Sequence, residues 1–357
     1  MLMLDDADVA RFQEFCDRAA GRPVAVACHD DAAGLAAGEM ARRWLAEHGY
    51  GAVTVLTPGK AELLTGSLLA ARAREAGARA LLALDLGASN EAAAPDCPTL
   101  QIDVHRHDPN LTVPIIEPAG PRAARPAAVV LYELLGAMGP VTDLAWLAAI
   151  AAEAGHPKAD PPPPQRGDRP YTRTAAREVQ VLLSSGCRDR EPAVREALAL
   201  LARSDGPDGF LADESSDMER LRSARVGVMQ ALGQWSHRRP YFMWRVALAP
   251  VASPARIEDI LAAMWARQLP RYMVVAANSG YVPGKVHVVA RSDSPERDLL
   301  RLLDKTAPED LARPFALGRP DYVEAVLPLD AWQRMLAAMR FRAPHKLIPP
   351  LPSQPMP

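Results

Sequence analysis

A histidine, two aspartates and a glycine stand together in His29-Asp30-Asp31-Ala32-Ala33-Gly34, directly after the apolar run Val24 to Cys28. Further on, Leu84-Asp85 and Ile102-Asp103-Val104-His105 repeat the pattern of an apolar run that ends in acid. If the three runs are strands of one parallel sheet, their carboxyl ends share an edge, and Asp31, Asp85 and Asp103 converge there with His29. Converging carboxylates repel one another unless a cation neutralises them. Two or three aspartates with a neutral imidazole suit manganese, magnesium or zinc. The competing role for each aspartate taken alone is to cap a helix or bind turn amides. If the third strand continues past Asp103, His105 lies on the same face and Val104 on the other. His107 reads as a solvated loop residue.

The elements that must position these groups follow from the hydrophobic pattern. Helical spacing covers 6–19, 34–47, 61–76, 125–138 and 142–154, and short apolar runs at 24–28, 52–56, 80–84 and 100–102 read as strands. Strands alternating with helices of this length imply an α/β fold with a doubly wound parallel sheet, covered on both faces. The proline-rich stretch 157–171 is an extended linker, so the first domain spans 1–156. A helical connector is expected over 172–240, with breaks at Gly186, Pro207 and Gly209. A smaller mixed α/β domain follows over 241–343, with strands at 241–249, 271–277, 285–291 and 322–327 and helices at 255–267, 294–304 and 329–340. Residues 344–357 read as a loose proline-rich tail.

With 357 residues the chain exceeds one ordinary core. It is 49% hydrophobic with a formal net charge of −2, which argues against a broad electrostatic footprint on long duplex DNA. Only five of its 41 basic residues are lysine, and arginine suits bidentate phosphate recognition. No apolar run approaches the ~18 residues of a membrane span. The amino terminus lacks a secretion signal's basic flank and apolar core. No membrane association and a cytoplasmic location are therefore expected. Cys16, Cys28, Cys97 and Cys187 show no metal-ligand spacing and read as buried free thiols.

The ordered set of motifs resembles the DHH phosphoesterase superfamily, with its DHH domain and its associated C-terminal domain. Cys28 to Gly34 is similar to the first motif, His-x-Asp-x-Asp-Gly. Leu84-Asp85-Leu86-Gly87 is similar to the second, and Ile102-Asp103-Val104-His105 sits where the family has Asp-His-His. Ala148 to Gly155 is similar to the fourth motif, with Glu153 in place of an aspartate. Val179 to Ala202 resembles the helical connector. Ala276 to Val286 and Ala290-Arg291-Ser292 resemble the substrate-binding domain.

The resemblance implies manganese-dependent hydrolysis of phosphodiesters, with the first domain holding metal and the second gripping substrate. The implied partners are short oligonucleotides, single-stranded nucleic acid or nucleotides, and a homodimer is left open. On this reading His29, Asp31, Asp85 and Glu153 are metal ligands, and Asp85, Asp103 and His105 are catalytic. Asn278, Lys285, His287, Arg291 and Arg319 contact substrate; Lys285, His287 and Arg291 share one face of a strand as a basic strip.

Three departures limit the implied activity. The second aspartate of the first motif is Ala33, the first histidine of the third is Val104, and Glu153 is one carbon longer than its counterpart. In the family these positions serve the second metal, so one manganese ion is expected, with magnesium as the alternative, and the second ion lacks ligands. The phosphate-holding Gly-His-Pro loop of the family is here Gly318-Arg319-Pro320-Asp321, followed by Glu324, which adds negative charge where phosphate would sit. A weak metal-dependent phosphodiesterase is the first expectation. An inactive relative that binds nucleic acid, a nucleotide or a protein partner is the second.

Overall fold

The computed structural model describes residues 4–94, 96–105, 110–117, 126–154, 172–294 and 297–349. The linker at 157–171, His107 and most of the tail lie outside them. The chain divides into two compact units, one of residues 1–59, 64–187 and 193–222, the other of 60–63, 188–192 and 223–357.

The first unit contains α1 (Asp6–Ala19), β1 (Val24–Cys28), α2 (Ala32–Glu47), β2 (Val53–Leu56), α3 (Gly66–Glu75), β3 (Ala80–Leu84), β4 (Thr99–Ile102), β5 (Ile115–Ile116), α4 (Ala127–Met138) and α5 (Ala145–Ala154). Among the described residues its five strands are all parallel, in the order β2-β1-β3-β4-β5. β1 and β3 are buried at every position, and alternate residues feed two cores. Val24, Val26, Cys28, Leu82 and Leu84 face the larger core with Leu35, Met40 and Trp44 of α2. Ala25, Ala27, Leu81 and Ala83 face a smaller one with Leu69 and Ala73 of α3. The doubly wound parallel sheet is thus covered on both faces.

α6 (Arg173–Arg188), α7 (Val194–Arg203), α8 (Pro207–Leu211) and α9 (Ser216–Trp235) follow. Val179, Leu183, Leu200, Leu201 and Phe210 pack into the larger core of the first unit, so much of the stretch expected as a connector completes that core. Gly186 does not break α6. A Cβ there would lie 2.4 Å from Leu221 Cδ2, so the glycine serves close packing of α6 against α9. α2 and α7 are tied by a buried charge: Arg42 and Arg43 both donate to Glu39, and Arg43 also donates to the carbonyls of Leu201 and Ser204.

The second unit carries β6 (Tyr241–Met243), β7 (Val246–Val251), α10 (Glu258–Gln268), β8 (Met273–Asn278), β9 (Lys285–Arg291), α11 (Leu299–Thr306), β10 (Ala316–Arg319), β11 (Tyr322–Pro328) and α12 (Leu329–Ala338). Among the described residues its six strands run in the order β10-β11-β9-β8-β7-β6, mixed in direction. Trp332, Met335 and Leu336 of α12 cover one face, and Leu261, Ala262 and Ala266 of α10 the other. Pro344–Leu347 form a short 3-10 turn whose Leu347 is buried in this core, so the tail begins later than 344. Among the described residues no helix is long and apolar enough to cross a membrane, and all four cysteines are buried thiols outside any disulfide.

Candidate metal centre

The strand order of the first unit reverses between β1 and β3, and the crevice beyond the carboxyl ends of such strands is where open α/β sheets bind ligands. His29 and Asp31 follow β1, Asp85 follows β3, and Asp103 and His105 follow β4. Gly34 lets α2 start close to the first of these tips: a Cβ there would meet the carbonyl oxygen of His29 at 2.2 Å. Asp85 sits in the left-handed region at φ 59°, an uncommon conformation for a residue with a side chain. Its backbone N–H still donates to Ile102 O of the neighbouring strand at 2.9 Å, which pins the turn to the sheet.

Asp85, Asp103 and His105 each offer a ligand atom within 4.8 Å of the others. Asp103, 3% exposed, is the organiser. Its Oδ2 accepts from Gly87 N at 2.7 Å, fixing the turn that carries Asp85; its Oδ1 accepts from His105 N at 2.6 Å and lies 3.0 Å from His105 Nδ1. A carboxylate against an imidazole in this way sets the ring's tautomer and orientation, as behind a metal-ligating histidine. Asp85 Oδ1 is buried, accepts no hydrogen bond and stands 3.4 Å from His105 Nδ1. An oxygen aimed inward without a donor suits a cation.

The charges of the cluster act on one another at short range. Burial raises the Asp85 carboxyl above its ordinary range, His105 opposes that rise, and the charges of Asp103 and Asp31 add to it. Burial alone would lower the His105 pKa; the hydrogen bond the ring donates to Asp103 and the charge of Asp85 outweigh it and raise it. An ion would relieve the carboxylate repulsion.

The other expected ligands are placed differently. Asp31 caps α2, its Oδ1 accepting from Gly34 N at 2.7 Å, while its Oδ2 lies 3.4 Å from His29 Nδ1. His29 and Asp31 are close enough to act on Asp85 electrostatically but stand outside the three-residue group. Glu153 is ion-paired with Arg173. The donor set therefore fits one ion. Ala33 and Val104 carry no donor atom, and the Glu153 carboxylate is engaged elsewhere.

In the second unit the expected substrate residues are mostly built into the framework. Asn278, fully buried, accepts from Ser253 N and Gly280 N and donates to Ala255 O and Glu258 Oε2, so its amide has no donor left for a ligand. His287 is buried between Glu258 Oε1 at 2.6 Å and Glu324 Oε1 at 3.0 Å. Desolvation pushes its pKa down, the two glutamates push it up, and the result is about 9. The expected basic strip is thus neutralised at its centre. Lys285 is exposed, Arg319 pairs with Asp321 at 3.2 Å, and the Arg291 guanidinium lies 4.6 Å from the centre of the Tyr322 ring. Sequence reasoning missed Glu258 and Glu324 as partners because they sit on elements far from His287 along the chain. It also missed that Asp103 anchors Gly87.

No family model matches the sequence, and no curated protein matches it. Solved structures do match. A manganese-bound exonuclease RecJ aligns over 97% of this chain and 98% of its own, with a TM-score of 0.64 at 18% identity. RecJ from Thermus thermophilus in complex with Mn2+ aligns over 98% of this chain, which spans 56% of that one, with a TM-score of 0.62 at 18% identity. The DHH domain of a member of the s1p family of ribosomal proteins gives 0.56 at 15% identity, over 94% of this chain and 90% of its own. At these identities the likeness is one of fold.

Proposed function

We propose that this chain, which has the fold of the DHH superfamily, is a phosphoesterase-like protein with a reduced metal centre. It holds one divalent cation at Asp85, Asp103 and His105 and slowly hydrolyses phosphodiester bonds of short oligonucleotides, single-stranded nucleic acid or nucleotides. The observation that carries this reading is the convergence of those three ligand atoms within 4.8 Å at the strand tips. The imidazole favours manganese over magnesium, which prefers oxygen ligands. Manganese in two of the RecJ structures agrees with that preference.

When bound, the ion would act as a Lewis acid on a phosphoryl oxygen and would lower the pKa of water. The chain's own residues do the rest. Asp85, Asp103 and His105 supply donor atoms, and Asp103 also holds both the His105 ring and the turn under Asp85. His29 and Asp31 border the crevice, with the imidazole available to exchange a proton. Without donors at Ala33 and Val104, a clamp on both the attacking and the leaving oxygen is missing, which is why the expected turnover is slow.

A second reading is a catalytically inactive relative that binds nucleic acid, a nucleotide or a protein partner. The same two missing donors favour it, together with the framework roles of Asn278 and His287. Incubation with manganese, a labelled short oligonucleotide and a chromogenic phosphodiester separates the two. Metal-dependent product that disappears in Asp85→Ala supports the first; no product above the Asp85→Ala background supports the second.

A further inference from the structure

The second unit contains a cavity of about 290 Å³ beside the edge of its sheet. Its aromatic wall is Trp235, Tyr241 and Trp265, and its basic rim is Arg238, Arg239 and Lys346; among the described residues no carboxylate lines it. The Arg238 guanidinium lies 4.0 Å from the centre of the Trp235 ring, forming a cationic aromatic platform. This is the chemistry that accepts a flat base attached to a phosphate, and the volume suits one nucleotide.

The surface next to the cavity points the same way. β6 is the outermost strand of the sheet. It exposes Tyr241 to 52% and Phe242 to 50%, and the turn after it exposes Trp244 to 87%. Trp244 opens the two-residue turn between Met243 and Val246 with φ 52°, a position where glycine or asparagine is the usual choice. A tryptophan held there in water is a costly arrangement for a purely structural turn. From Ser236 to Ile257 the sequence has four arginines and no acidic residue.

We propose that the β6 edge and its cavity form a binding site for single-stranded nucleic acid, one base seated against Tyr241 and Trp265 beside the Arg238–Trp235 pair and neighbouring bases stacked on Phe242 and Trp244. Stacking on aromatic rings with arginines along the backbone is how single strands are held without sequence preference. A second copy of this chain is a poorer occupant. Pairing β6 with itself would bring two sets of arginines together with no acid in the segment to offset them. The site involves none of the metal-centre residues and needs no metal to bind.

The test is fluorescence anisotropy of 5′-labelled dT12 and rU12 with the full chain in EDTA, so that failure here leaves the metal-centre reading untouched. Phe242→Ala with Trp244→Ala should weaken binding about tenfold or more, whereas Trp244→Tyr, which keeps a stacking face, should retain it. Arg238→Gln with Arg239→Gln should weaken binding and reduce the slope of log affinity against log salt by about 1.4. No binding by the unmodified chain, or equal affinity across these variants, overturns the proposal. So does light scattering that shows Trp244→Ala splitting a dimer while affinity for the oligonucleotides is unchanged.

Discussion

Asp103 Oδ1 lies 3.0 Å from His105 Nδ1, and the other oxygen of the same carboxylate holds Gly87 N at 2.7 Å. One buried group thereby fixes a histidine from its own strand tip and the turn that presents Asp85 from the next. This cross-strand brace, rather than any single ligand, is what gives the centre its shape.

Removing the charge of the brace while keeping its shape tests that statement. Asp103→Asn keeps the side chain's shape but exchanges one acceptor for a donor facing Gly87 N or His105. Manganese affinity should fall by at least about 10- to 100-fold, the usual cost of losing an outer partner of a metal ligand, since the same change also takes a charged donor from the ion. Calorimetric titration checks it, and circular dichroism confirms that the fold persists.

Restoring donors should restore the second ion. Ala33→Asp combined with Val104→His replaces the two side chains that cannot ligate. The double variant should take up a second manganese ion per chain and hydrolyse a chromogenic phosphodiester faster than the unmodified protein. Unchanged stoichiometry would mean that these positions do not face the ion.

Glu39 provides a stability test away from the centre. It is 1% exposed and takes three hydrogen bonds of 2.7 Å from Arg42 and Arg43. Glu39→Ala leaves both guanidinium groups without their carboxylate beneath α7, so it should destabilise the first unit by about 3 kcal/mol. Denaturant unfolding followed by Trp146, which stacks under Arg43 at 5.7 Å, reads the loss.

His287 sets a pH dependence in the second unit. Its pKa is about 9 in the folded chain and ordinarily near 6.5. A raised pKa contributes stability that is complete below about pH 6.5 and is lost as pH rises through 9. The contribution is at most about 3 kcal/mol. The denaturation midpoint of the native chain should therefore approach that of His287→Gln between pH 6.5 and 10. A gap that stays constant over that range would contradict the ion-paired geometry.

Much of this architecture was legible from the chain alone, for identifiable reasons. β1 and β3 match the expected boundaries because each is an uninterrupted apolar run with a sharp polar stop, and β9 because its valines and Ala290 fill the stretch between Gly284 and Ser292. The doubly wound parallel sheet followed from strands alternating with helices. β5 was missed because two residues carry no period, and β10 because Ala316–Arg319 contains a glycine and no apolar alternation. The run 241–249 was read as one strand because Trp244 gives no turn signal, although it folds as β6, a tight turn and β7.

The site was legible in part. Asp85, Asp103 and His105 do come together, since strand order and strand ends predict it. That Glu153 would meet Arg173, or that Glu258 and Glu324 would enclose His287, depends on pairing between distant segments and has no local signature.

The most direct test of the account is the number of manganese ions the chain binds. Isothermal titration of the metal-free protein should give one site per chain, and Asp85→Ala should abolish it. Two sites in the unmodified chain, none at all, or undiminished binding in Asp85→Ala would contradict a single-ion centre at these strand tips.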